Sequence, residues 1–129
     1  ATCGTDGVVL DGDDDYIDLD DWSWGSTTSL AAYVKYDRFN HNSCVLHFGN
    51  GQGQTPEDDV VLRNEGLSSA VGWNTRQASA GKWLTASNFD SKTWTHITVT
   101  VSAAGSMKLY KNGARVGTLD GGTAPTVMT

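Results

Sequence analysis

Residues 94–101, Trp94-Thr95-His96-Ile97-Thr98-Val99-Thr100-Val101, alternate in character at every step. A period of two is the repeat of an extended strand, whose successive side chains point to opposite faces. It assigns Thr95, Ile97, Val99 and Val101 to a buried face and Trp94, His96, Thr98 and Thr100 to the other. Asn112-Gly113 follows, and both residue types tolerate the positive φ that a two-residue type I′ turn requires. Met107-Lys108-Leu109-Tyr110 and Ala114-Arg115-Val116-Gly117 are therefore expected to fold back on each other as a hairpin. No window of the chain holds a clean helical period, so the fold must be built from strands.

The rest of the chain agrees. Short strands are expected at Val8-Val9-Leu10, Tyr16-Ile17-Asp18-Leu19, residues 29–36, Val45-Leu46-His47-Phe48, Val60-Val61-Leu62-Arg63, Ala70-Val71-Gly72-Trp73 and Lys82-Trp83-Leu84-Thr85. In residues 29–36, Leu30, Ala32, Val34 and Tyr36 share one face. About ten short strands with glycine-rich turns indicate an all-β sandwich or barrel. The 129 residues suit one domain, expected over residues 1–120, with 121–129 a linker or an interrupted continuation.

Charge narrows the partners. A net charge of −6 argues against nucleic acid and against anionic lipid surfaces. No apolar run approaches the ~18–20 residues of a membrane helix, so no membrane insertion is expected. Cys3 and Cys44 are the only cysteines, and they offer two outcomes, one disulfide or two buried thiols. Low charge, abundant Gly, Ser and Thr, and acidic loops favour an oxidising, extracellular setting and the Cys3–Cys44 bridge. Closing a loop of about 42 residues would stabilise the domain by roughly 3–4 kcal/mol in the chain-entropy account.

Three segments in order carry a resemblance: Leu10-Asp11-Gly12-Asp13-Asp14-Asp15-Tyr16-Ile17, Ser29-Leu30-Ala31-Ala32-Tyr33-Val34-Lys35, and the strand at Trp94 followed by Leu109-Tyr110-Lys111-Asn112-Gly113. Together they resemble the laminin-G-like, concanavalin-A-like jelly rolls over roughly residues 7–118. The resemblance implies a two-sheet antiparallel jelly-roll sandwich at the cell surface or outside the cell. It also implies a module for adhesion, recognition or structural assembly, with carbohydrate or an extracellular protein as partner. Such domains usually continue beyond the Asn-Gly hairpin with further strands. The sandwich is therefore expected to be completed from outside these residues, by later residues of the polypeptide or by self-assembly through an open sheet edge, as in a filament.

Catalysis is not expected. The chain has two glutamates, Glu57 and Glu65, eight residues apart, or roughly 26 Å on an extended strand. Glycosidase carboxylates lie about 5–10 Å apart. His41, His47 and His96 are scattered, without metal-ligand spacing. No cofactor is required, and calcium is the one alternative. Asp13, Asp14 and Asp15 form the densest acid cluster, with Asp58 and Asp59 a second, but the first fails the EF-hand pattern at Tyr16 and Trp22. The acids otherwise cap turns. Trp22 and Trp24 lie two apart and would project to one side if extended. Trp73 and Trp83 flank an apparent polar loop over 74–82. These four rings are the expected ligand contacts, for sugar faces or a protein patch.

Overall fold

A computed structural model describes residues 1–20, 25–49 and 58–124. Trp22 and Trp24 lie outside the described residues. The described residues contain no helix and form three antiparallel sheets. A small ribbon pairs β1 (Thr2–Gly4) with β2 (Gly7–Val9). One four-stranded sheet has the order β10-β9-β8-β3, from β3 (Thr28–Val34), β8 (Thr95–Val101), β9 (Met107–Lys111) and β10 (Ala114–Leu119). The second runs β4-β5-β6-β7, from β4 (Cys44–Gly49), β5 (Asp59–Asn64), β6 (Val71–Gln77) and β7 (Ala80–Ala86).

The two larger sheets pack face to face. Val60, Leu62, Val71, Trp73, Leu84 and Ala86 from one meet Ile97, Val99, Val101, Met107 and Leu109 from the other. β8 shows why the alternation matters: Thr95, Ile97, Val99 and Val101 are buried, and the residues between them are only half-buried. The core strands of an antiparallel sandwich need that division, because one face meets the other sheet and one meets water.

Asn112 (φ 50°) and Gly113 (φ 82°) form the expected β9–β10 turn. Asn112 does more than turn. Its backbone N–H donates to the carbonyl of His96 at 2.8 Å, and its Oδ1 accepts the N–H of His96 at 2.9 Å. The turn is thereby stitched to β8. Gly113→Val should lower stability by about 1–2 kcal/mol, since a β-branched residue resists positive φ, and urea unfolding would read the loss. An unchanged midpoint would contradict the turn's role.

Three expectations change. The segment Tyr16-Ile17-Asp18-Leu19 is not a strand, and Tyr16, Ile17 and Leu19 stay exposed. It pairs with no strand among the described residues, and its flanking aspartates favour contact with water. The apparent loop over 74–82 is two strands joined by Ala78 (φ 51°) and Ser79 (φ 62°), a tight turn without glycine. Cys3 and Cys44 are free thiols, so the expected bridge is absent from this fold. Cys3 sits in the separate N-terminal ribbon, whereas Cys44 begins β4 opposite Arg63, its Sγ facing the carbonyl of Asn42 at 3.7 Å.

Residues 121–124 are tied to the body. The N–H of Gly122 donates to Gly105 O at 2.9 Å, Thr123 Oγ1 to Ala80 O at 3.1 Å, and Ala124 packs against the core. The edge of β3 away from β8 has no strand partner among the described residues.

Candidate functional site

The outer face of the β4–β7 sheet gathers the polar and aromatic groups. Register builds it in rows. His47, Val61, Asn74 and Trp83 lie side by side across the four strands, and Cys44, Arg63, Gly72 and Thr85 form the next row. On the other side of the first row Asp59 is opposite Arg76, with 3.8 Å between Oδ2 and Nη1.

Gly72 organises the centre. A Cβ there would lie 2.2 Å from Glu65 Oε1 and 3.0 Å from Trp83 Cε3. Glycine weakens a strand interior, so its presence in β6 marks a place where other groups must come close. Arg63 on β5 and Trp83 on β7 reach across this gap. The guanidinium carbon stands 4.5 Å from the Trp83 ring centroid, a cation–π contact. Arg63 Nε lies 3.9 Å from Glu65 Oε1, too far for a hydrogen bond, and neither atom has another hydrogen-bond partner. Behind them Asn74 is buried. Its Nδ2 donates to Lys82 O at 3.0 Å while its Oδ1 has no partner.

The result is a half-exposed indole backed by a planar cation, a carboxylate and an amide. An aromatic face stacks on apolar ring faces, and the partly exposed side chains of Arg63 and Glu65 can donate to or accept from hydroxyls or peptide groups, while Asn74 stays buried beneath them. Trp83 was legible as an exposed aromatic beside a polar stretch. Arg63 and Glu65 were not, although Gly72 inside a strand pattern was the available signal.

The other expected residues are dispersed. Trp73 is fully buried and contacts no solvent, because on β6 it faces the opposite sheet, in the core with Ile97, Val99 and Leu109. It is a core residue and not a ligand contact. Asp58 Oδ1 accepts the N–H of Ala78 and so caps the strained β6–β7 turn. Asp59 pairs with Arg76. Asp14 and Asp15 cluster with Asp11, their carboxylates within 4.8 Å of one another. Asp13 serves a turn instead, its N–H donating to Asp11 Oδ1 at 2.9 Å. The Ala1 ammonium binds Asp15 and, with the N–H of Asp11, holds its carboxyl below the usual carboxylate range.

Burial pushes the Tyr36 phenol far up, and the Cys44 thiol beside it acts in the same direction. The Cys44 thiol is itself pushed up by desolvation, which Arg63 partly opposes. Because thiolate is the reactive form, the raised Cys44 thiol should alkylate more slowly at neutral pH than after the protein is unfolded. Native mass spectrometry with iodoacetamide should find both modified, and an intact Cys3–Cys44 bridge would contradict the fold described here.

An all-β sandwich with an aromatic and polar outer face is the architecture of binding modules in the lectin class. The family model of the concanavalin A-like lectin/glucanases superfamily, Laminin_G_3, matches residues 11–129, and the chain belongs to that family. Membership supports a carbohydrate- or protein-binding role in general. A search of curated proteins finds no match to the chain. No helix among the described residues is long and apolar enough to cross a membrane.

Proposed function

We propose that the chain is a non-catalytic extracellular recognition module that holds carbohydrate, or an extracellular protein, on the outer face of the β4–β7 sheet. The observation that carries this reading is the Arg63–Trp83 pair converging with Glu65 over Gly72. An exposed aromatic ring braced by a cation is pre-organised, so little side-chain entropy is lost when a ligand stacks on it.

Hydrolysis is not part of the proposal. The Glu65 carboxylate stands over Gly72, four strand residues from the Asp59–Arg76 row, roughly 13 Å, against the ~5–9.5 Å that glycoside hydrolysis requires of its carboxylates. Asp59 is also engaged by Arg76.

The test is an array of glycans and extracellular-matrix proteins, run with and without a calcium chelator. The same polysaccharides are then assayed for new reducing ends. Binding that survives chelation without any cleavage supports the proposal. Binding abolished by the chelator would favour a calcium-dependent lectin built on the Asp11, Asp14 and Asp15 cluster. Cleavage lost in Glu65→Gln would overturn the non-catalytic reading.

A further inference from the structure

We propose that the outer face of the other large sheet, β3–β8–β9–β10, is a second binding site, and that its ligand is an acidic polysaccharide. The first observation is charge placement. The chain carries 15 acids and 9 cations, yet none of the four strands of this sheet contains Asp or Glu. Lys108 and Arg115 lie on its outer face, opposite Thr100 and Tyr110, and Lys35 follows β3. None of these three cations has a carboxylate partner among the described residues, in contrast to Lys111, whose Nζ is 2.9 Å from Asp90. An acid-free cationic face on a net-negative protein attracts an anion locally while the rest of the surface repels it.

The second observation is the aromatic cluster beside those charges. Tyr33 on β3 is 67% exposed and pairs in register with His96, the two rings 5.2 Å apart. Trp94, 44% exposed, lies 6.4 Å from Tyr33 and carries the Lys35 ammonium 5.2 Å above its ring. His96 is held at both backbone groups by Asn112. The rings are therefore fixed in place by the sheet and the turn. Rings that stack on pyranose faces, next to ammonium and guanidinium groups that pair with carboxylate or sulfate, are the chemistry of an acidic sugar chain.

The dimensions suit a polymer. From Lys35 to the level of Lys108, opposite Ser29, is six residues of strand direction, roughly 20 Å. That length spans several sugar units. The site is on the opposite side of the sandwich from Trp83, so one domain would engage two ligands and could link them. The N-terminal ribbon meets this face at one corner, where Gly7 approaches Trp94.

Titration of the chain with oligogalacturonate, with heparin and with neutral dextran, followed by tryptophan fluorescence and calorimetry, tests the proposal. Binding to one or both acidic glycans, weakened by salt and absent for dextran, is expected. The carboxylated and sulfated arms identify which anion the site prefers. The triple variant Lys35→Gln, Lys108→Gln, Arg115→Gln should lose about tenfold or more in affinity, and Trp94→Ala a comparable amount, each with an unchanged circular dichroism spectrum. Equal binding of dextran, equal binding of single-stranded DNA, or wild-type affinity in the triple variant would overturn it. Acidic-glycan binding lost in Trp83→Ala but kept in the triple variant would place the ligand on the first face and overturn the second site alone.

Discussion

Trp73→Ala should destabilise the domain by about 3–5 kcal/mol, the range for emptying a fully buried aromatic site. Trp73 has no exposed surface and sits in the core with Leu62, Leu84 and the β8–β9 side chains. With a total stability of roughly 5–15 kcal/mol for a domain, the variant would be near its folding limit. Trp73→Phe keeps most of the apolar volume and should cost much less, while also removing the buried Nε1, which has no hydrogen-bond partner. Chemical denaturation of both variants checks this. A Trp73→Ala protein of wild-type stability would mean that the ring lies at the surface.

Asn64→Ala should cost about 2–4 kcal/mol, which is large for a polar residue at the end of a strand. Asn64 is fully buried. Its Nδ2 donates to Asn40 O at 2.9 Å and to Gly66 O at 2.8 Å, and its own N–H donates to Ser43 O at 3.2 Å. Asn42 closes the same knot, its N–H donating to Gly66 O and its Oδ1 accepting from Gly66 N–H at 2.9 Å. Two chain segments 24 residues apart are joined here by hydrogen bonds. Removing the amide leaves Asn40 O without its donor inside the protein. Asn64→Asp offers a sharper control: it keeps the shape but loses both donated bonds, and should be at least as destabilising. Thermal unfolding of the two variants would decide, and an Asn64→Ala melt equal to wild type would remove the knot from the account.

The contrast between these two residues shows what the sequence discloses. β8 was legible because its period is local: each alternate residue reports the same buried face. Asn112-Gly113 was legible because turn geometry selects residue types directly. Ala78-Ser79 was not, since neither residue is the Gly or Asn that positive φ usually demands, and the cap from Asp58 comes from 20 residues away. The missed turn hid the ends of the two strands beside it, residues 74–77 and 80–81, and made Trp73 look like the rim of a loop. The knot at Asn64 depends on contacts across 24 residues, which no local pattern encodes. The segment at Tyr16 carries a strand's pattern, yet pattern alone does not supply a neighbouring strand.

The candidate site follows the same division. Trp83 was identifiable as an aromatic beside a polar stretch. Its setting was not, because Arg63, Glu65 and Gly72 meet it only after β5, β6 and β7 are aligned in register. The thiols illustrate the opposite error. Two cysteines in a low-charge chain suggested a bridge on composition, but the N-terminal ribbon and β4 belong to different sheets.

The most direct measurement of the central claim is the affinity of Trp83→Ala for a ligand that both the wild-type chain and the Lys35→Gln, Lys108→Gln, Arg115→Gln variant retain on the array, with thermal unfolding as the control for fold. Trp83 is partly exposed and its ring is shared between Arg63 and solvent, so its removal should leave the core intact. The account predicts a loss of roughly 30-fold or more, the effect of removing a central aromatic contact, at nearly unchanged stability. Undiminished affinity in a folded Trp83→Ala protein would contradict recognition on the outer face of the β4–β7 sheet.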